Sequence, residues 1–263
     1  MSELPILFAH ANGFPGRAYT HFLEQLAPWK TDFIPVFGMG KYQVKRDWTP
    51  LADELIEYVE THHPQGVIAL GHSLGAVVSL WAGSQRPELF HRLILLDPPL
   101  FGPGFQNLVW LLQMLGLSRR FNPLARQALA RKAHFTSIEE AREYWGGKNF
   151  FKPFHPQCFE DYLTHGLMPD PEGGYTLRFP AELEARIFSS RMGRGRFHGM
   201  RVAADWILAE RSVLPASTQA RHRKRFSADT FYQMKGGHMF PMESPVETAA
   251  MIKKILSSDM DSI

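Results

Sequence analysis

Two short stretches hold residues whose types and spacing could do chemistry. Gly71-His72-Ser73-Leu74-Gly75 fits Gly-x-Ser-x-Gly, between a strand-like run, Val67-Ile68-Ala69-Leu70, and a helix-like run, Ala76-Val77-Val78-Ser79-Leu80-Trp81-Ala82. A sharp strand-to-helix turn needs glycine to avoid Cβ clashes, and it lifts the serine hydroxyl clear of the sheet. The Leu74 amide then opens a helix, where it points at a developing oxyanion. A serine hydroxyl is a poor nucleophile without a base. Gly236-Gly237-His238-Met239-Phe240-Pro241-Met242-Glu243 supplies His238 late in the chain, in a glycine-rich loop after the last strand. Taken separately, Ser73 could be a helix cap and His238 a solvated loop residue. Their order, serine first and histidine last, favours a nucleophile and its general base.

Positioning these groups requires a sheet. Apolar runs at Pro5 to Ala11, Asp32 to Phe37, Gly66 to Gly71 and Arg92 to Leu96 read as strands covered on both faces. Helical patterns alternate with them. Between Thr49 and His62, Leu51, Leu55, Ile56 and Val59 recur at helical spacing, with Thr49 and Pro50 read as cap and first helical residue. The alternation implies βαβ units and a mostly parallel α/β sheet. After Pro98-Pro99 the pattern changes. Helical segments run at Phe105 to Leu117, Pro123 to His134, Ser137 to Trp145 and Pro156 to His165, followed by a Pro/Gly-rich turn over 169–174. The strand–helix alternation resumes after Arg201, with strands at Trp206 to Ala209 and Thr230 to Met234 and a closing helix from Pro245 to Leu256. The expected organisation is a core of residues 1–99 and 200–263 with a helical cap insertion at 100–199.

Over nearly its whole length the chain resembles α/β-hydrolase-fold serine hydrolases, of the esterase-like branch with a helical cap. The residues that carry the resemblance are His10 to Gly16, Gly71 to Gly75, Asp97 to Pro99 and Gly236 to Glu243. The resemblance implies that the backbone N–H of Asn12 is the second oxyanion donor, with Ala11 where the family usually has glycine. It also implies an acid after the penultimate strand, in a Gly-Glu-x-Asp stretch. The matching segment here is Leu208-Ala209-Glu210-Arg211-Ser212, so the usual aspartate is missing. Asp97, at the end of the strand next to that of the nucleophile, is the expected replacement, as in some family members. Glu210 is the alternative. A loop-capping role ahead of Pro98-Pro99 is the structural reading of Asp97.

The remaining composition narrows the field. The chain has 263 residues, 44% of them hydrophobic, enough for a buried core. Formal net charge is +3 and the sequence pI about 9.0. Basic residues cluster at Arg191, Arg194, Arg196 and Arg201, then at Arg221, Arg223, Lys224 and Arg225. Without a recognisable nucleic-acid module they read as solvated surface, and no nucleic-acid partner is expected. The one cysteine, Cys158, reads as a small core hydrophobe. No signal peptide or membrane span is expected, and a cytoplasmic location follows. The twelve histidines include no His-Glu-x-x-His helix, so no metal is expected. Gly38-x-Gly40 is no dinucleotide loop, and no cofactor is expected. A serine in the nucleophile position argues against the aspartate-based dehalogenase and epoxide hydrolase reactions. The expected reaction is hydrolysis of carboxylic esters of small or medium apolar substrates, with Phe101, Phe105, Trp110, Phe121, Tyr144, Trp145, Phe150 and Phe151 as candidate pocket-lining or cap-packing residues. A thioesterase, lyase or C–C bond hydrolase on the same residues, and a non-catalytic ligand-binding relative, are the alternatives. Oligomeric state is not legible in the sequence.

Overall fold

The computed structural model describes residues 4–192 and 202–258. Arg194, Arg196 and Arg201, and the expected boundary at 199/200, lie outside the described residues.

A six-stranded sheet carries the site. Its strands are β1 (Ile6–Ala9), β2 (Thr31–Phe33), β3 (Val67–His72), β4 (Phe90–Leu96), and, after a long insertion, two later strands, Ala204–Arg211 and Thr230–Gly237. Every pairing within it is parallel, with Leu7 opposite Ala69 and Leu95 opposite Trp206. The core helices are α1 (Thr20–Glu24), α2 (Thr49–His62) and α3 (Leu74–Gln85). The insertion contributes α4 (Pro103–Met114), α5 (Ser118–Phe121), α6 (Pro123–Leu129), α7 (Ile138–Gly146), α8 (Pro156–Gly166) and α9 (Ala181–Phe188). It also holds a small antiparallel sheet of β5 (His134–Phe135), β6 (Leu167–Pro169) and β7 (Tyr175–Leu177). The two later core strands are therefore β8 and β9. With α10 (Ala216–Arg225), α11 (Phe240–Glu243) and α12 (Pro245–Ser258) they complete the fold. Strand order is β2-β1-β3-β4-β8-β9.

Alternation along β1 shows why the strands read as unbroken apolar runs. Leu7 and Ala9 join one buried cluster with α2 and α3, while Ile6 and Phe8 join the other with α1 and α12. Both faces are covered, so both sets must be apolar. Helix α3 is buried over most of its length, consistent with its lack of a polar face. The insertion packs into both clusters, through Phe179, Leu183 and Ile187 on one side and Phe135, Trp145 and Tyr162 on the other.

Several local readings shift. Thr49 lies inside α2 as its first residue, Trp48 takes the cap position without a side-chain cap bond, and Asp47 Oδ1, two residues before Thr49, accepts from the Thr49 amide at 3.1 Å. The expected helix over 123–134 stops at Leu129, and His134–Phe135 pairs as a strand instead. The Pro/Gly-rich turn over 169–174 connects β6 to β7 as a hairpin. The basic run 221–225 folds into α10, where the Arg223 and Arg225 guanidinium groups lie over the rings of Phe231 and Phe226. Cys158 is fully buried, and burial pushes its thiol up to about 12.

Candidate active site

Ser73 sits between β3 and α3 with φ 53°, a left-handed conformation rare for a residue with a side chain. The close packing around it explains the flanking glycines. A Cβ on Gly75 would stand 2.0 Å from the Ala9 carbonyl oxygen, and one on Gly71 would stand 2.5 Å from the Ala76 Cα. Although Ser73 occupies the cap position of α3, its hydroxyl makes no cap bond. It lies instead 2.9 Å from His238 Nε2.

The His238 imidazole is held on its other side. Its Nδ1 is 2.6 Å from Asp97 Oδ2, and Asp97 is fully buried at the end of β4 with φ 41°. The other carboxylate oxygen accepts from the Ala209 amide at 3.2 Å and the Ser212 hydroxyl at 2.6 Å. Burial alone would raise the Asp97 carboxyl. The bonds from His238, Ser212 and Ala209 outweigh it, and the pKa falls below the ordinary carboxylate value. Glu210 is exposed at the end of β8 and takes no part in this contact. The segment after β8, which in the resembled family would carry the acid, here donates hydrogen bonds to an acid on β4.

Two further loops close the site. The Leu74 amide is the first of α3, and the loop containing Asn12 follows β1. Both residues line the same cavity as Ser73 and His238. Among the described residues neither amide finds a backbone acceptor. The Gly75 amide donates to the His10 carbonyl at 3.1 Å, tying the two loops together. His10 is fully buried and held neutral, with burial lowering it to about 4; its Nε2 accepts from the Phe37 amide at 2.9 Å.

Sequence reasoning missed His72 and Tyr19. His72 is fully buried, and burial together with neighbouring His238 lowers it to about 3. A neutral imidazole can accept on one nitrogen and donate from the other. The Tyr19 hydroxyl, 2.8 Å from Nδ1, suits the accepting side, and the His238 carbonyl, 2.9 Å from Nε2, suits the donating side. The backbone of the late loop is thus pinned to the strand that precedes Ser73. The only advance signal was the position of His72 inside the Gly-x-Ser-x-Gly stretch.

The cavity over Ser73 has a volume of about 560 Å³. Of the eight aromatic residues read as lining a pocket or packing the insertion, Phe101, Phe105, Tyr144, Trp145, Phe150 and Phe151 line it. Trp110 and Phe121 do not; both are exposed on the outside of the insertion. One wall is polar: Arg131 pairs with the Glu184 carboxylate and donates to the Tyr162 hydroxyl at 2.8 Å. Asn12 Nδ2 donates to the Glu184 carbonyl at 3.1 Å, so α9 braces the loop after β1. Among the described residues no cluster of His, Cys, Asp or Glu is arranged to hold a metal ion.

A parallel sheet with a serine on its sharpest turn, backed by a histidine and a buried carboxylate, is matched at the level of family. The family model for "Alpha/beta hydrolase family" covers residues 6–251. The chain belongs to the alpha/beta hydrolase family. Among its relatives, lipase LipV of Mycobacterium tuberculosis is 24% identical over 95% of this chain and 92% of that protein. Ethanol acetyltransferase 1 of Kluyveromyces marxianus is 32% identical, over 36% of this chain and 28% of that protein. The chain therefore matches under a third of that relative's length. Among solved structures, E-2-(acetamidomethylene)succinate hydrolase superposes with a TM-score of 0.78 at 17% identity, covering 97% of this chain and 91% of that one. That likeness carries the fold. Among the described residues of this family member, no helix is long and apolar enough to cross a membrane.

Proposed function

We propose that this alpha/beta hydrolase is a serine hydrolase that cleaves carboxylic esters of small or medium apolar substrates through an acyl-enzyme on Ser73. The observation that carries the reading is the unbroken chain of contacts from Ser73 Oγ to His238 Nε2 at 2.9 Å and from His238 Nδ1 to Asp97 Oδ2 at 2.6 Å. Ser73 Oγ attacks the ester carbonyl while His238 Nε2 takes its proton. Asp97 holds the proton on Nδ1 and stabilises the imidazolium, which is the role a buried carboxylate with a lowered pKa can fill. The Asn12 and Leu74 amides donate hydrogen bonds to the oxyanion. His238 then protonates the leaving alcohol, and water reverses the sequence to free the acid. The inserted segment caps the cavity and sizes the acyl group, while Arg131 and Tyr162 give one wall a polar foothold.

The test is hydrolysis of a p-nitrophenyl ester series, from short to long acyl chains, by wild type and Ser73→Ala. Turnover that disappears in Ser73→Ala is expected, with a chain-length optimum set by the 560 Å³ cavity. A folded wild-type protein inactive on the whole series would reject the ester reading and favour a narrower thioester or C–C substrate. The likeness to ethanol acetyltransferase 1 supports a related outcome, in which an alcohol replaces water in the second step. Ester exchange on adding ethanol to the same assay would reveal it.

A further inference from the structure

The outer face of the insertion reverses the usual polarity of a surface helix. In α4 both glutamines face the protein, while Asn107 is exposed: Gln106 Oε1 accepts from the Met192 amide, and Gln113 Nε2 donates to the Arg46 carbonyl, each at 2.9 Å. The one buried apolar residue of the helix, Val109, shares that side. Leu108, Leu111 and Leu115 recur at i, i+3 and i+7 along a stripe roughly 160° round from the two glutamines at 100° per residue. They are exposed, and so are Trp110 and, at 66%, Met114. A water-facing helix ordinarily carries charge there, yet α4 has none. The stripe continues toward the cavity, because Phe105, Leu124 and Phe150 are both exposed and part of its lining.

The chain that builds this apolar surface carries charge of one sign. No Asp or Glu occurs between Asp97 and Glu139, a stretch that contains Arg119, Arg120, Arg126, Arg131 and Lys132. Arg131 belongs to the cavity wall, Arg119 pairs with Glu182 and Lys132 with Glu140. Arg120 and Arg126 are exposed, and among the described residues neither has an acidic partner within ion-pair distance. Exposed leucines, a tryptophan and the two exposed arginines without an acidic partner match the requirements of an anionic lipid surface, which takes up apolar side chains and attracts cations.

We propose that the α4–α6 face docks on an anionic lipid surface, placing the mouth of the cavity over Ser73 against the lipid. The binding step is independent of the chemistry proposed for Ser73, and it is measured without turnover. The full chain, as Ser73→Ala, is sedimented with vesicles of phosphatidylcholine alone or mixed with phosphatidylglycerol at low salt. Binding to the mixed vesicles is expected, with little to phosphatidylcholine. Arg120→Gln/Arg126→Gln should weaken it about thirtyfold, from roughly five- to sixfold per charge near such a surface. Leu111→Gln/Leu115→Gln should weaken it more than about tenfold. Both pairs lie outside the cavity lining. Placed in the Ser73-containing protein, they should leave hydrolysis of a soluble short-chain ester unchanged and so report a folded enzyme. Absence of binding to mixed vesicles overturns the proposal, as does equal binding to neutral vesicles without an effect of the arginine pair. Light scattering that shows a dimer dissociated by the leucine pair would also overturn it, since a second copy would then cover the stripe.

Discussion

Replacing Asp97 by asparagine tests the proposed mechanism at a single atom. Asparagine has nearly the same shape, but only one of its two terminal atoms accepts hydrogen bonds. The Asp97 Oδ1 position faces two donors, the Ala209 amide and the Ser212 hydroxyl, and is fully buried. At Oδ2 the Val213 amide is a long 3.5 Å away and His238 Nδ1 can give up its proton, so the asparagine oxygen stays at Oδ1 and its NH2 group faces His238 Nδ1. That nitrogen must now accept, so the imidazole proton moves to Nε2, opposite the Ser73 hydroxyl. The base is then protonated where it has to receive a proton. The expected loss in kcat is about four orders of magnitude, or about 5.5 kcal/mol of transition-state stabilisation. The assay is kcat and KM on the best p-nitrophenyl ester, alongside a thermal melt. The melt should stay within about 5 °C of wild type, because shape and the two bonds to Oδ1 are retained. A loss smaller than tenfold, or a larger loss in Glu210→Gln than in Asp97→Asn, would refute the assignment of Asp97 as the acid.

Two further expectations follow from buried polar groups. Glu54 accepts from the Gly38 amide at 2.8 Å, yet burial raises its carboxyl to about 7. Its folded pKa lies above the unfolded value, so its contribution to stability is full below about pH 4.5 and is lost as pH rises through about 7. Glu54→Gln keeps an acceptor and removes the charge. It should raise the unfolding free energy at pH 8 by up to about 3 kcal/mol, with little gain at pH 5; equal gains in denaturant titrations at both pH values would contradict this. Tyr19→Phe leaves His72 Nδ1 buried without its 2.8 Å partner, which should cost about 1–3 kcal/mol of stability and lower kcat by loosening the loop that carries His238. An unchanged melt and unchanged kcat would remove His72 from the support of that loop.

The parts legible in sequence were those written in local pattern. Gly71, Gly75 and Ser73 announced a tight turn, and two-sided burial made β1, β3 and β4 continuous apolar runs. Helix α2 is legible to the residue in its span, but its cap position falls on Trp48, a residue type with no capping side chain and so no local signal. Strands β5, β6 and β7, two or three residues each, are too short to show a period of two. The choice between Asp97 and Glu210 depends on which of two strand ends points at His238, a tertiary fact with no local signature. The same holds for Ser212, which stands where the resembled family has its acid and serves here as a donor to Asp97. Trp110 and Phe121 neither line the cavity nor pack against the sheet, because residue type alone does not say which side of a helix faces inward.

Asp97 is also the residue at which the chain leaves the sheet for the insertion, and Pro98-Pro99 follow it directly. The roof of the cavity and the partner of the imidazole are therefore geared through one stiff tripeptide stem. An acid carried behind β8 would lie apart from this stem, whereas here the carboxylate is part of it. Grafting a foreign insertion between Pro99 and β8 would on this account change more than the size of the acyl group accepted. It would also disturb the contact between Asp97 and His238, and kcat of such a chimera on one small ester is where the gearing can be read.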